Sequence, residues 1–142
     1  MNRRDSIQKF LLGGTVLLLA PAVLKSCSKD PELDESGYTP PAGTKINIDL
    51  SQPENAVLNT IGGSKIVQTI LVVNTGPGYI SLSSVCTHEG CTVGYDSASE
   101  KILCPCHGSK FTTTGSIVNG PAATPLKSYP VSKSGNILTI SI

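Results

Sequence analysis

Large rings are scarce in this 142-residue chain, which has no tryptophan, two phenylalanines and four tyrosines. Its core must therefore rest on the isoleucine, valine and leucine that crowd the chain after residue 45. Charge is sparse as well, at 15% of residues with a formal net charge of +1. No basic stripe or aromatic-interleaved patch is present, which argues against a nucleic-acid binder. Helical periodicity is missing after residue 25. Cysteine and histidine are rare, with five and two copies. What the chain does have is 14 glycines and 10 prolines, which imply many turns and many short elements.

The first thirty residues are a different material. Arg3 and Arg4 give a basic start, and residues 10–24 (FLLGGTVLLLAPAVL) carry no charge. That stretch has the length of a secretory h-region and is short of the ~20 apolar residues a membrane span needs. Leu24-Lys25-Ser26-Cys27 then resembles the lipobox of bacterial lipoproteins, with Lys25 departing from the usual small or apolar residue. Arg3-Arg4-Asp5 resembles a twin-arginine export signal without its usual aromatic residue. The expectation is a signal peptide or anchor over 1–26, with three outcomes: lipidation at Cys27, a retained anchor, or simple cleavage. Each puts the folded domain outside the cytoplasm, where disulfides persist. Residues 27–44 are polar and proline-bearing and are expected to be a flexible tether.

From residue 45 the pattern is β. KINIDL alternates apolar and polar residues. AVLNTI and KIVQTILVV, on either side of Gly62-Gly63, read as two strands around a hairpin turn. YISLSSV follows a turn at residues 74–78, and LKSYPVS with ILTISI reads as a closing hairpin. The expected fold is all-β, a small antiparallel barrel or sandwich over residues 45–142.

Six of the seven cysteines and histidines fall in two short runs, CTHEGC at 86–91 and CPCHGS at 104–109. Two cysteines and two histidines make a possible zinc set, but structural zinc favours paired cysteines followed by paired histidines. Two disulfides with bystander histidines would leave the repeated Cys/His pairing without a reason. A two-iron cluster with mixed ligands, two thiolates on one iron and two imidazoles on the other, suits one cysteine and one histidine from each run.

These runs resemble the two cluster-binding loops of Rieske iron–sulfur proteins. Residues 120–126 (GPAATPL) resemble the proline-rich loop that covers the cluster in that family. The resemblance implies a [2Fe-2S] cofactor with Cys86 and Cys104 on one iron and His88 and His107 on the other. It also implies a Cys91–Cys106 disulfide, which leaves Cys27 for lipid. Gly90 and Gly108 would allow close backbone approach to sulfur, and Pro121 would set the covering loop. Ser109 would donate to a bridging sulfide. Phe111 stands where high-potential members carry a tyrosine that donates to a cysteine sulfur. The potential is thus expected above plant-type ferredoxins and below the highest Rieske centres.

The function implied is that of an exported, membrane-tethered electron carrier on the periplasmic side, rather than a complete enzyme. Its partners would be cytochrome b- and c-type proteins of a quinol-oxidising bc-type complex, with quinol at the histidines. The alternative is the Rieske small subunit of an arsenite-oxidase-like molybdoenzyme, whose large subunit would then be the partner. A dioxygenase ferredoxin fits less well, because those usually lack the bridge implied at Cys91 and Cys106. From a different class, a zinc-loaded structural or binding module would be colourless and redox-silent.

Overall fold

The computed structural model describes residues 41–142. The segment 1–26, Cys27 and the tether up to residue 40 lie outside the described residues.

The run Ile70-Leu71-Val72-Val73 explains the layering. These residues form strand β3 (Ile70–Asn74), buried along its whole length. Ile70 and Val72 pack into one apolar cluster with Ile46, Ile48, Leu58, Leu138 and Ile140. Leu71 and Val73 pack into a second cluster with Leu82, Val93, Ile102, Phe111 and Leu126. Alternate side chains leave opposite faces of a strand, so a continuous apolar run marks a strand covered on both sides.

Three sheets stack accordingly, and all their pairings are antiparallel. The central one has the order β2-β3-β4-β9, with β2 at Ser64–Val67, β4 at Tyr79–Ser83 and β9 at Ser128–Tyr129. On the Ile70/Val72 side lies β1-β11-β10, formed by Lys45–Asp49, Ile137–Ser141 and Val131–Ser134. On the Leu71/Val73 side lies β5-β6-β7-β8, formed by Gly94–Asp96, Lys101–Leu103, Lys110–Phe111 and Ile117–Asn119. This last sheet carries the cysteine and histidine runs at its strand ends. The fold is a small antiparallel sandwich with a separate cluster-binding subdomain.

The barrel half of the expectation is corrected: among the described residues no sheet closes on itself. Residues 126–132 do not make one strand, because Pro130 interrupts them. Ser128–Tyr129 pairs with β4, whereas Val131–Ser134 pairs with β11. The strand expected at AVLNTI is corrected too. Pro53–Asn59 is a 3-10 helix with Leu58 fully buried beneath it. Its carbonyl groups take side-chain donors: Asn74 Nδ2 and Tyr79 Oη both donate to the Leu58 carbonyl, at 2.9 and 3.0 Å. Ala56-Val57-Leu58 does not alternate, so it lacked the period of a half-buried strand. Gly62 and Gly63 lie past the helix, which is capped by Thr60, and turn the chain into β2 instead of making the hairpin, with Gly63 N–H donating to the Thr60 carbonyl. The hairpin turn lies inside KIVQTILVV, at Gln68-Thr69, between the paired residues Val67 and Ile70. Gln68 takes φ +56°, a left-handed conformation that a glutamine does not announce.

Candidate metal centre

The two runs fold onto one hydrogen-bonded frame. In the first, Cys86 N–H donates to the Cys91 carbonyl at 2.8 Å, and Gly90 N–H donates back to the Cys86 carbonyl at 2.9 Å. In the second, Cys104 N–H donates to the Ser109 carbonyl at 2.8 Å, and Gly108 N–H donates to the Cys104 carbonyl at 3.1 Å. Gly90 and Gly108 sit at φ +76° and +77°. A side chain there would be strained, so glycine is what lets each loop close. Val85 bridges Thr92 at the base of the first loop, and Gly94 pairs with Leu103 just beyond, which brings the loops side by side. A disulfide joins Cys91 to Cys106, with their Cα atoms 6.5 Å apart.

Cys86 and Cys104 are free thiols, each buried. Burial pushes the Cys86 thiol up. The Cys104 thiol beside it adds to the rise, while hydrogen bonds from the His88 backbone and the Ser109 hydroxyl oppose it. Those same two donors would stabilise a thiolate. Ser109 is fully buried, and its Oγ also accepts the Ala122 N–H at 3.0 Å. Its hydroxyl thus ties the 120–126 loop to the thiol pair. Thr87 Oγ1 makes the matching tie from the first loop, donating to the Thr124 carbonyl at 2.6 Å. Asn119 Nδ2 donates to the Gly120 carbonyl at 3.1 Å, at the edge of the same loop.

The imidazoles of His88 and His107 stand at the exposed end of the loops. Their Nδ1 atoms face each other at 3.2 Å, with ring centroids 4.9 Å apart and planes nearly perpendicular. Two inward nitrogens and two buried thiols, one of each from each loop, form a donor set that fits a cluster with mixed ligation. Phe111 is fully buried in the apolar cluster below and brings no hydroxyl. Pro121 is exposed and follows a cis peptide bond from Gly120.

Three contributors were missed in the sequence. Thr87 acts through a contact 37 positions along the chain, and Asn119 also donates to the Gly108 carbonyl of the second loop at 3.4 Å. Glu89 lies with Oε2 3.6 Å from Nε2 of His107. Nothing in a Thr, an Asn or a Glu of a polar loop signals such contacts before the loops are docked.

A family model described as the Rieske [2Fe-2S] domain matches residues 46–130. The cytochrome b6-f complex iron-sulfur subunit of Chlorobaculum tepidum is 36% identical over 148 residues, covering 99% of this chain and 76% of that one. Among solved structures, the cyanobacterial plasma membrane Rieske protein of Synechocystis PCC 6803 is 31% identical with a TM-score of 0.50, covering 56% of this chain and 84% of that one. A hyperthermophilic respiratory Complex III chain is 27% identical with a TM-score of 0.52, covering 68% of this chain and 74% of that one.

Proposed function

This chain belongs to the Rieske [2Fe-2S] family of electron-transfer proteins, and on that premise we propose that it carries electrons for a quinol-oxidising cytochrome bc-type complex. It is related to the cytochrome b6-f complex iron-sulfur subunits and is an electron carrier rather than a complete enzyme. The observation that carries the proposal is the match to such a subunit over 99% of this chain.

Cys86 and Cys104 would hold one iron, and His88 and His107 would hold the other. What supports this set is a pair of buried thiols and a pair of facing Nδ1 atoms, one of each from each loop. When bound, the cluster supplies one-electron transfer at a potential raised by replacing two thiolates with neutral imidazoles. The chain's own residues do the rest. Ser109 presents its hydroxyl to the thiol side, and the 120–126 loop, fastened by Ser109 and Thr87, lies against both cluster loops. An imidazole held through Nδ1 would keep its Nε2 proton, and His88 would offer that proton to solvent at the exposed tip, where a quinol oxygen can hydrogen-bond.

Residues 1–26 serve as the export signal or anchor, and residues 27–44 as the tether, with Cys27 as the lipidation site. The domain then works on the periplasmic side of the membrane, with cytochrome b- and c-type proteins as partners. The arsenite-oxidase-like reading takes second place, because the 36% identical relative named above is a subunit of a cytochrome b6-f complex.

The test is an EPR spectrum of the purified chain after dithionite reduction, with iron and zinc assayed on the same sample. The expected result is iron with a mean g below that of all-cysteine ferredoxins. Zinc without iron would overturn the ligand set. For the partner, membranes lacking this chain are expected to lose quinol-dependent cytochrome c reduction, and retained turnover would refute the bc-type assignment.

A further inference from the structure

Glu89 is the one charged side chain that the described residues place against the paired imidazoles. Its Oε2 lies 3.6 Å from Nε2 of His107, with the two side chains 61% and 44% exposed. No lysine or arginine lies within ion-pair distance of it among the described residues. The bland alternative is a solvated surface carboxylate, and an exposed pair of this kind contributes little to stability.

Two observations favour a role over that alternative. First, the loop frames match residue by residue through Gly90 and Gly108. Glu89, just before Gly90, therefore occupies the position in its loop that His107, just before Gly108, holds in the other. The two side chains meet at the exposed end of the loops. Second, with both Nδ1 atoms taken by iron as proposed above, Nε2 is the nitrogen left to carry the proton on each ring. The carboxylate stands on that outward side. At 3.6 Å the contact is longer than a hydrogen bond, and the exposed glutamate would have to rotate to close it.

We propose that Glu89 is a positioning residue that takes the outward N–H of His107, orients its ring and holds the cluster's reduction potential down. A carboxylate on the far nitrogen of a metal-bound imidazole makes that imidazole a stronger donor to the metal. A unit negative charge at the ring edge also opposes the arrival of an electron. Both effects favour the oxidised state. The outward nitrogen of His88 has no such partner among the described residues and is left as the open hydrogen-bond donor at the tip. The inference rests on the ligand set proposed above.

The experiment uses the full chain with its cluster, as wild type, Glu89→Gln and Glu89→Asp. Each is titrated potentiometrically at neutral pH, at low and high salt, with EPR as the readout. Glu89→Gln is expected to raise the reduced-to-oxidised ratio at fixed applied potential by about threefold to tenfold. Glu89→Asp keeps the charge and is expected to stay near the wild type. Salt screens an exposed charge, so the wild-type ratio should rise with salt while that of Glu89→Gln should not. A Glu89→Gln protein with full cluster content and a wild-type ratio overturns the inference. If Glu89→Gln loses its cluster, the wild-type salt response decides: a rise with salt supports the role, and a flat response overturns it. A wild-type chain that holds zinc and no iron fails earlier, at the ligand set, and takes this inference with it.

Discussion

Removing the Ser109 hydroxyl should lower both the reduction potential and the stability of the domain. The side chain is fully buried, and one oxygen serves two partners. It accepts the Ala122 N–H at 3.0 Å, and it lies near enough to the Cys86 sulfur to oppose the rise in that thiol's pKa. In Ser109→Ala the Ala122 N–H stays buried without an acceptor, which costs about 1–3 kcal/mol. The sulfur loses a donor that favours negative charge, and reduction adds negative charge. If that bond is worth about 1 kcal/mol more in the reduced state, the potential falls by roughly 40 mV, since a tenfold change in a one-electron equilibrium is about 59 mV. Potentiometric EPR reads the first effect, and a denaturant melt of the cluster-loaded protein reads the second. A loaded Ser109→Ala protein with the wild-type potential would refute the assignment of the hydroxyl to the thiolate side. A loss of potential without a loss of stability would instead refute the tie to Ala122.

Gly63→Ala should destabilise the domain by about 2–3 kcal/mol in a urea melt, because the added Cβ would lie 1.8 Å from the Val57 carbonyl oxygen and backbone must shift. Replacing Cys91 and Cys106 together by alanine opens a bridge across a sequence separation of 15, and about 3 kcal/mol of stability should go with it. Retention of the cluster by that double variant, read from its colour, would show that the frame hydrogen bonds alone hold the loops together. Asp96 is held below its ordinary value of 3.8 by the Ser99 hydroxyl first, then by the Ala98 backbone amide. A depressed carboxyl contributes stability above its unfolded value, and that contribution is lost as pH falls through the folded one. The gap between wild type and Ser99→Ala should therefore be full at neutral pH and close below the usual carboxylate range, as followed by urea midpoints across that window.

The sequence announced the parts of this fold that depend on local chemistry. Lys45–Asp49 and Tyr79–Ser83 carry a pattern visible in a few residues, and so do the turns around them. Parts that depend on contact were silent. The 3-10 helix at Pro53–Asn59 is held by Asn74 and Tyr79, which lie 16 and 21 positions from Leu58. The four strands of the cluster-binding sheet are two or three residues long, too short for any period to register. The turn at Gln68 needs a left-handed residue but has no glycine or asparagine to mark it. The reverse error came from Gly62-Gly63, a pair that suggests a hairpin but here turns the chain from a helix into β2.

The spacing of the chemistry residues shows the same division more sharply. In the sequence the runs look unequal, with histidine two positions after Cys86 and three positions after Cys104. The hydrogen bonds reveal one six-residue loop used twice, with glycine fifth in each. On that frame His88 corresponds to Cys106, Glu89 to His107, and Cys91 to Ser109. The backbone is nearly symmetric and the side chains are not. This offset lets a single frame supply different chemistry at equivalent points. The sixth position gives a disulfide sulfur in one loop and the hydroxyl facing Cys86 in the other. The third gives an imidazole in one loop and the other end of the disulfide in the second. The fourth gives an imidazole in one and the carboxylate beside it in the other. A frame with histidine at the same position in both loops would not free one position for Glu89 and another for the bridge. That inequality of spacing is what would allow two short loops to hold the ligands, fasten themselves together and set the charge at the tip.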